Sequence, residues 1–535
     1  MENGGEKNMA SEKDKALTYE KRTSKKNGVA RMFFAVIAIV IEIVLIFLLL
    51  SALHKVATWI ELVLHILAIV LVFRLYAKNI TASMKMPWII LILVVPILGT
   101  VLYLLIGMNS GTNRMRMRYE EVDRHLLPLL SGKDNETIER LKQTDSGGAQ
   151  IATYLRNYSG YPVWQNTDVV YFDDAAKGLE AQLKDLEKAQ KFIFMEYHAI
   201  DNEVCWNRIE EVLARKVNEG VEVRVFYDDM GSIGFITTDF VKKLRSKGIA
   251  CSVFNPFMPV LNLFINNRDH RKVTVIDGKV GYTGGYNLAD EYFHLTSPYG
   301  LWKDTGVRLQ GDAVQALTVT FLEMWNAGRT GKDEKTDVSF EPYLPHYQYK
   351  AVQKGFVQPY ADSPMDEKRI GEDVYISMVE KASKYCYFVT PYLVLTDEMT
   401  RAISLAARRG VDVRIVTPGI PDKKLVYSVT RSYYSELAKS GVRIYEWTPG
   451  FCHCKMSVAD DKMATCGTIN MDYRSLYHHF ENGCWFYDPA VAVQIRDDIR
   501  SMFAESREVT KEYSEGEGSK LPVFQLILRL FVELL

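Results

Sequence analysis

One six-position pattern, present twice with identical internal spacing, constrains this chain more than any other stretch. His270-Arg-Lys272-Val-Thr-Val-Ile-Asp277 closes on Gly284-Gly-Tyr-Asn287. Its counterpart starts 183 positions on, where His453-Cys-Lys455-Met-Ser-Val-Ala-Asp460 closes on Gly467-Thr-Ile-Asn470. Both read H-x-K-x4-D-x6-G-[GT]-x-N. The elements around each copy repeat as well. Phe192–Tyr197 reads as a buried strand, Asn207–Asn218 has helical apolar spacing through Ile209, Val212, Leu213 and Val217, and Gly220–Val225 is a second strand. Cys386–Tyr392, Thr400–Arg409 and Gly410–Ile415 repeat that order, and Gly248–Pro256 matches Gly441–Pro449. Strand–helix–strand alternation predicts an α/β fold with a largely parallel sheet. Two copies predict a pseudo-dimer within one chain, residues 151–335 around the first motif and 336–510 around the second.

The 535 residues are too many for one core. Residues 1–31 are polar and lysine-rich and read as a disordered tail. Met32–Leu53, Ala57–Phe73 and Met86–Ile106 are almost wholly apolar, each near the roughly 20 residues a spanning helix needs. They predict a transmembrane region over 32–107 and a multi-pass protein of the cell membrane. Glu42, Glu61 and His65 interrupt these spans at a depth where charge is costly, and a packing hydrogen bond between helices is favoured over a substrate or proton role. Basic residues lie on both sides of the spans, so the side the large domain faces stays open. Residues 108–150 read as a linker. Residues 511–535 hold an apolar stretch, Leu521–Leu535, too short to span easily, which reads as an interfacial or core helix. With 65 basic against 66 acidic residues, the chain lacks the basic field of a nucleic-acid binder. Seven scattered cysteines with no C-x-x-C pair suit reduced thiols. Cys452 and Cys454 flank His453 without a fourth zinc ligand at recognisable spacing, so buried thiols are favoured there.

Strand alternation puts His270 and Lys272 on one face. A two-residue hairpin turn at Asp277-Gly278 predicts Gly285 opposite His270 and Thr283 opposite Lys272. A turn at Asp460-Asp461 likewise predicts Thr468 opposite His453 and Cys466 opposite Lys455. Small residues opposite both side chains leave room for a phosphate. Asp277 and Asp460 have the wrong parity for that face and read as braces. One imidazole can attack phosphorus while a second protonates the leaving alcohol and then turns base for the acceptor. That needs a histidine on each side of one phosphate, hence both copies. Lys272, Lys455, Asn287 and Asn470 would stabilise charge on the non-bridging oxygens. The chemistry implied is phosphodiester transfer through a phosphohistidine, with no metal and no cofactor expected.

The doubled pattern resembles the HKD motif of the phospholipase D superfamily, and residues 58–505 are for the most part similar to bacterial cardiolipin synthases. Further carriers of the resemblance are Trp88–Pro96 through Tyr103–Gly107, Asp228-Asp229-Met-Gly-Ser232, Thr390-Pro-Tyr392, and Asn470-Met-Asp-Tyr-Arg-Ser475 with Phe480-Glu481. The fold this implies is two phospholipase D-like α/β repeats forming an intrachain pseudo-dimer, preceded by N-terminal transmembrane helices. The implied activity condenses two phosphatidylglycerols to cardiolipin and glycerol through a phosphatidyl-histidine, with near-equal bond energies on the two sides and no nucleotide. His270 and His453 would be nucleophile and acid/base in an order left open. Lys272, Lys455, Asn287 and Asn470 would bind phosphate, and Asp277 and Asp460 complete the catalytic motifs. Glu481 would fix one imidazole's tautomer and Asp304, in Trp302-Lys-Asp304-Thr-Gly306, the other's, against an ordinary surface or capping role for each. The chain departs from the family pattern at Gly285, where serine or threonine is usual, at His479, where asparagine is usual, and in the added stretch Met32–Leu53. These leave acceptor preference open, and with it three alternatives: another phosphatidyl transferase, a phospholipid hydrolase or a non-enzymatic membrane scaffold. The oligomeric state is open too.

Overall fold

The apolar runs flanking each motif become the central strands of two sheets. The structure, a computed structural model, describes residues 58–78, 80–104, 112–130, 134–256, 267–328, 337, 339–366 and 368–530, with isolated positions 33, 37 and 44 before them. The first half contributes β1 (Thr167–Phe172), β2 (Phe192–Tyr197), β3 (Glu222–Asp228), β4 (Ala250–Phe254), β5 (Arg268–Asp269), β6 (Lys272–Ile276), β7 (Val280–Gly284), β8 (Leu301–Lys303) and β9 (Gly306–Gly311). The second contributes β10 (Phe356–Asp362), β11 (Tyr385–Val389), β12 (Asp412–Pro418), β13 (Arg443–Trp447), β14 (Gly450–Cys452), β15 (Met456–Ala459), β16 (Met463–Gly467), β17 (His479–Tyr487) and β18 (Ser506–Glu508). The sheet orders are β1-β9-β7-β6-β2-β3-β4 and β10-β17-β16-β15-β11-β12-β13-β18, the same path in both halves with β18 added.

Both sheets are mixed, which corrects the expectation of a largely parallel one. Along these two paths only β2-β3-β4 and β11-β12-β13 run parallel. The motif strands form the hairpins β6–β7 and β15–β16, and a tight hairpin is antiparallel by construction. β2 is buried at all six positions. The helix Val204–Asn218 covers one side of its sheet through Ile209 and Leu213. Between the two sheets lies the helix Val314–Ala327, buried at every residue but Gln315. Its buried polar groups Glu323 and Asn326 are hydrogen-bonded, and its apolar side chains lie in one cluster with Phe194 and Val273 of the first half and Val357 and Phe486 of the second.

The hairpin register is shifted by one residue from the expected one. Ile276 faces Val280 and Val273 faces Thr283. Ala459 faces Met463 and Met456 faces Cys466. The turns are therefore three residues long, with Asp277, Gly278, Asp460 and Asp461 all at left-handed φ between 55° and 64°. The longer turn aims each aspartate at the start of the neighbouring central strand. Asp277 accepts from the backbone N–H of Gln190, Lys191 and Phe192 at 2.9, 2.7 and 3.0 Å. Asp460 accepts from those of Ser383, Lys384 and Tyr385 at 2.7, 2.9 and 2.9 Å. We expect Asp277→Ala to lower unfolding free energy by about 1–3 kcal/mol, because it orphans three backbone donors. A denaturant midpoint checks this; an unchanged midpoint with lost turnover would place Asp277 in the chemistry instead.

Two expectations for the flanks are corrected. Residues 112–159, expected in large part as linker, are three helices, Thr112–Leu130, Asp134–Thr144 and Ser146–Ser159. The first of them carries buried Tyr119 to Glu323 of the core helix at 2.8 Å. Among the described residues no helix is long and apolar enough to cross a membrane, so the multi-pass expectation is not met there. The third expected span breaks at Val95 ahead of Pro96 into Ala82–Val94 and Pro96–Leu102, of 13 and 7 residues. Those are about 20 and 10 Å of helix against a hydrocarbon core of about 30 Å. The second expected span forms the single helix Thr58–Ala77, of 20 residues, with basic Arg74 in its last turn. Met32–Leu53, with Glu42, and the side chain of Glu61 lie outside the described residues. The C-terminal apolar stretch forms the helix Val523–Leu530, which rests on Ala82–Val94 and leaves Val523, Phe524, Leu526 and Ile527 exposed.

Candidate active site

Each motif histidine directly follows a short strand that pairs with the other half of the chain. β5 runs parallel to the start of β17, setting Asp269 beside Phe480, and the His270 N–H donates to Phe480 O at 2.9 Å. β14 runs parallel to β8, setting Cys452 beside Lys303, and the His453 N–H donates to Lys303 O at 2.8 Å. The same exchange governs the side chains. His270 Nδ1 lies 2.9 Å from both carboxylate oxygens of Glu481, in the second half. His453 Nδ1 lies 2.7 Å from Asp304 Oδ2, in the first. The two acids occupy equivalent positions: Asp304 stands two residues before Gly306, which faces Gly284, and Glu481 two before Gly483, which faces Gly467. Around them the halves differ. The Thr468 hydroxyl donates to Glu481. At Gly285 a β-carbon would stand 2.2 Å from Asp304 Oδ1, so the missing hydroxyl makes room for the carboxylate.

Burial, reinforced by Lys272, holds the His270 imidazole well below its ordinary pKa. Burial and Lys455 bring His453 down to about 3, against the opposing pull of Asp304. Burial also pushes the Glu481 carboxyl up, with Lys272 opposing. A neutral imidazole whose Nδ1–H is donated to a carboxylate keeps its lone pair on Nε2. That is the form an attacking or proton-accepting imidazole requires. Both rings line one cavity of about 300 Å³, together with Asn287 and Asn470. The Asn287 amide accepts from the Ala199 N–H at 3.1 Å and donates to the Tyr292 hydroxyl at 2.8 Å. Asn470 Oδ1 is buried with no hydrogen-bond partner among the described residues.

The lysines sit behind the histidines rather than on the cavity wall. Lys272 Nζ donates to His270 O at 2.6 Å, and Lys455 Nζ to His453 O. Burial brings the Lys272 ammonium down to about 7, with Glu481 opposing and Lys455 adding to the fall. Lys455 is brought to about 8, chiefly by burial. Because these values are depressed, positive charge is present below them and lost as pH rises through them. We therefore expect kcat/KM for a phosphodiester to fall as pH rises through about 7 to 8. The kcat profile should break later, because bound phosphate favours the charged ammonium. Rates from pH 5 to 9.5 check this, and a kcat/KM flat to pH 9 contradicts it. Asp277 and Asp460 lie in the turns and do not line the cavity.

Two further imidazoles crowd His270. His198 donates from Nδ1 to Asp269 O at 2.7 Å, with its ring centroid 4.9 Å from that of His270. His479 lies 5.3 Å from His270, ring to ring. By sheet register His198 stands where the second half has Pro391, and His479 where the first has Trp302. A search by internal repeat finds only what both halves share, so His198 escapes it and His479 shows merely as a departure. Among the described residues, His270, His479 and Glu481 form the group able to hold a metal ion, their ligand atoms all within 4.8 Å. Arg271, an unspecified position of the motif, is fully buried, and its guanidinium joins Tyr119, Thr320 O and Glu323 beneath the site. All seven cysteines are buried free thiols.

A family model described as "Cardiolipin synthase, PLD-like domain" matches residues 183–325 and 375–503, and one described as "Phospholipase_D-nuclease N-terminal" matches 63–107. An uncharacterized protein of Streptococcus mutans is 41% identical over 84% of this chain and 96% of its own length. A cardiolipin synthase of Oceanobacillus iheyensis is 32% identical over 88% of this chain and 96% of its own. A cardiolipin synthase 1 of Staphylococcus aureus is 32% identical, covering 84% and 90%. Among solved structures, the phosphatidylserine synthase of Haemophilus influenzae shares the fold, with a TM-score of 0.54 at 14% identity over 72% of this chain and 97% of that one.

Proposed function

The chain belongs to the family of cardiolipin synthases built on phospholipase D-like domains and is a phosphatidyltransferase, and from that premise we propose that it joins two phosphatidylglycerols into cardiolipin with release of glycerol. The observation that carries the reading is the pair of imidazoles, each tied at Nδ1 to a carboxylate of the opposite half, lining one cavity. The phosphate of a donor lipid sits between the two Nε2 atoms. One Nε2 forms a bond to phosphorus as the bond to the glycerol oxygen breaks, and the other ring, which enters the step as an imidazolium because the bound phosphate anion favours the charged form, gives that oxygen its Nε2 proton. The terminal hydroxyl of a second phosphatidylglycerol then enters. It loses its proton to the ring that has just become basic and bonds to phosphorus, and the phosphorus–nitrogen bond breaks. Asn287 and Asn470, on the cavity wall, hold the phosphoryl oxygens, and the charges of Lys272 and Lys455 act on them from behind the rings. One phosphodiester is exchanged for another, so the balance calls for no nucleotide.

The lipid reaches the site from a membrane to which the protein attaches. Leu62, Val63, Ile66, Ile69, Val70 and Phe73 are exposed on one helix, and Val523, Phe524, Leu526 and Ile527 on another, more apolar surface than a water-facing protein leaves open. Purified protein with phosphatidylglycerol vesicles tests the activity. Cardiolipin and free glycerol in equal amounts are expected. Phosphatidic acid without cardiolipin overturns the reading in favour of a hydrolase.

A further inference from the structure

Two cations on the cavity wall have no ion-pair partner among the described residues. Arg474 and Lys423 both line the cavity that holds His270 and His453. Neither makes a hydrogen bond from its side chain or an ion pair among the described residues, and Lys423 only lies over the Tyr392 ring at 5.5 Å. The anions beside them are otherwise engaged. Asp422 accepts from the Tyr392 hydroxyl, and Asp472 caps the short helix Tyr473–Tyr477 by accepting from the Ser475 N–H at 2.9 Å. The two charges act on one region: Arg474 and Lys423 both bear on Asp472, Arg474 also on His479, and Lys423 also on His198. A guanidinium desolvated enough for burial to lower its pKa, yet left unpaired, is costly unless a ligand supplies the anion.

The reaction supplies one. Resting on the proposed synthase reading, the site must hold two phosphates at once: the one being transferred, backed by Lys272 and Lys455, and that of the acceptor lipid, a three-carbon bridge away from the attacking hydroxyl. We infer that Arg474 and Lys423 form the subsite for the acceptor lipid's phosphate and so set the preference for phosphatidylglycerol over neutral acceptors. Water and free glycerol carry no phosphate and gain nothing from these two residues. An arginine offers two parallel donors to a phosphate's oxygens, and the lysine adds a movable point charge at the exposed edge. Both come from the second half, so the acceptor approaches from that side of the seam.

The test is the ratio of two rates measured in one vesicle preparation: cardiolipin formation, and exchange of labelled glycerol into phosphatidylglycerol. Both use the same donor step and differ only in the acceptor. For Arg474→Gln and Lys423→Gln we expect the ratio to fall about 10- to 100-fold, the size of a lost charge-assisted phosphate contact. The fall should appear in the KM for acceptor lipid, and Arg474→Lys should restore part of it. A ratio equal to wild type, or a KM that stays fixed while kcat falls, overturns the subsite. Inorganic phosphate is the second probe. It should compete with acceptor lipid while sparing glycerol exchange, and equal inhibition of both reactions would place the subsite on the donor and overturn the assignment. The synthase reading is tested separately, by whether the wild type makes cardiolipin at all. A wild type that exchanges glycerol without making cardiolipin sinks that reading, whatever the variants do.

Discussion

Replacing His270 or His453 by alanine is expected to reduce cardiolipin formation by at least about 10⁴-fold in each case, and replacing both should cost little more. Catalytic groups that act as a unit lose nearly everything with the first member removed. The geometry makes these two a unit: each ring is anchored by a backbone bond and a carboxylate of the opposite half, and both face one cavity. The single variants also separate the roles. The chain that keeps its nucleophile should still form an acid-labile lipid adduct, slowly and without turnover, and the other should form none. Turnover with adduct trapping on the purified variants reads both outcomes. Near wild-type turnover in either single variant refutes the two-histidine mechanism.

Glu481→Gln and Asp304→Asn are expected to lower kcat by about 10² to 10⁴ with the fold intact. An amide in place of the carboxylate can present its N–H₂ to Nδ1. That favours the tautomer with the proton on Nε2, where no lone pair remains to attack or to accept a proton. In a serine hydrolase triad the corresponding change costs roughly 10⁴. Because Glu481 serves His270, adding Glu481→Gln to His270→Ala should bring little further loss, whereas adding Asp304→Asn to it removes support from the surviving ring. The double-mutant cycle, alongside thermal melts, separates a positioning role from plain destabilisation. A Glu481→Gln enzyme at full kcat contradicts it.

Much of this arrangement is legible in a line of residues because it is local. The strand Phe192–Tyr197 shows as a short apolar run and the helix through Ile209 and Leu213 by its period, and the motif strands show by their residue pattern. Periodicity over a few residues reports which face is buried. The turns were harder. Asp277-Gly278 carries the signature of a two-residue hairpin, and the extra residue enters because a three-residue turn lets the aspartate hold three N–H groups of β2, a contact that turn statistics do not weigh. The apolar run at 86–106 is continuous by composition, while Pro96 and the non-helical Val95 before it divide it.

The sequence by itself determined that two equivalent half-sites exist and which residue types they hold: a histidine, a lysine and an asparagine each, with an aspartate set aside at the turn. Spacing within one hairpin is a property of chain geometry, and the repeat makes it unmistakable. Tertiary structure alone decided the partnerships. Glu481 meets His270 across 211 residues and Asp304 meets His453 across 149, because β5 with β17 and β14 with β8 cross the seam between the halves. Only that crossing assigns each carboxylate to a particular ring, and only the packed cavity brings His198, Arg474 and Lys423 beside them. No local pattern encodes such contacts, because their distances are set by how two sheets pack on a shared helix rather than by the spacing of residues along the chain.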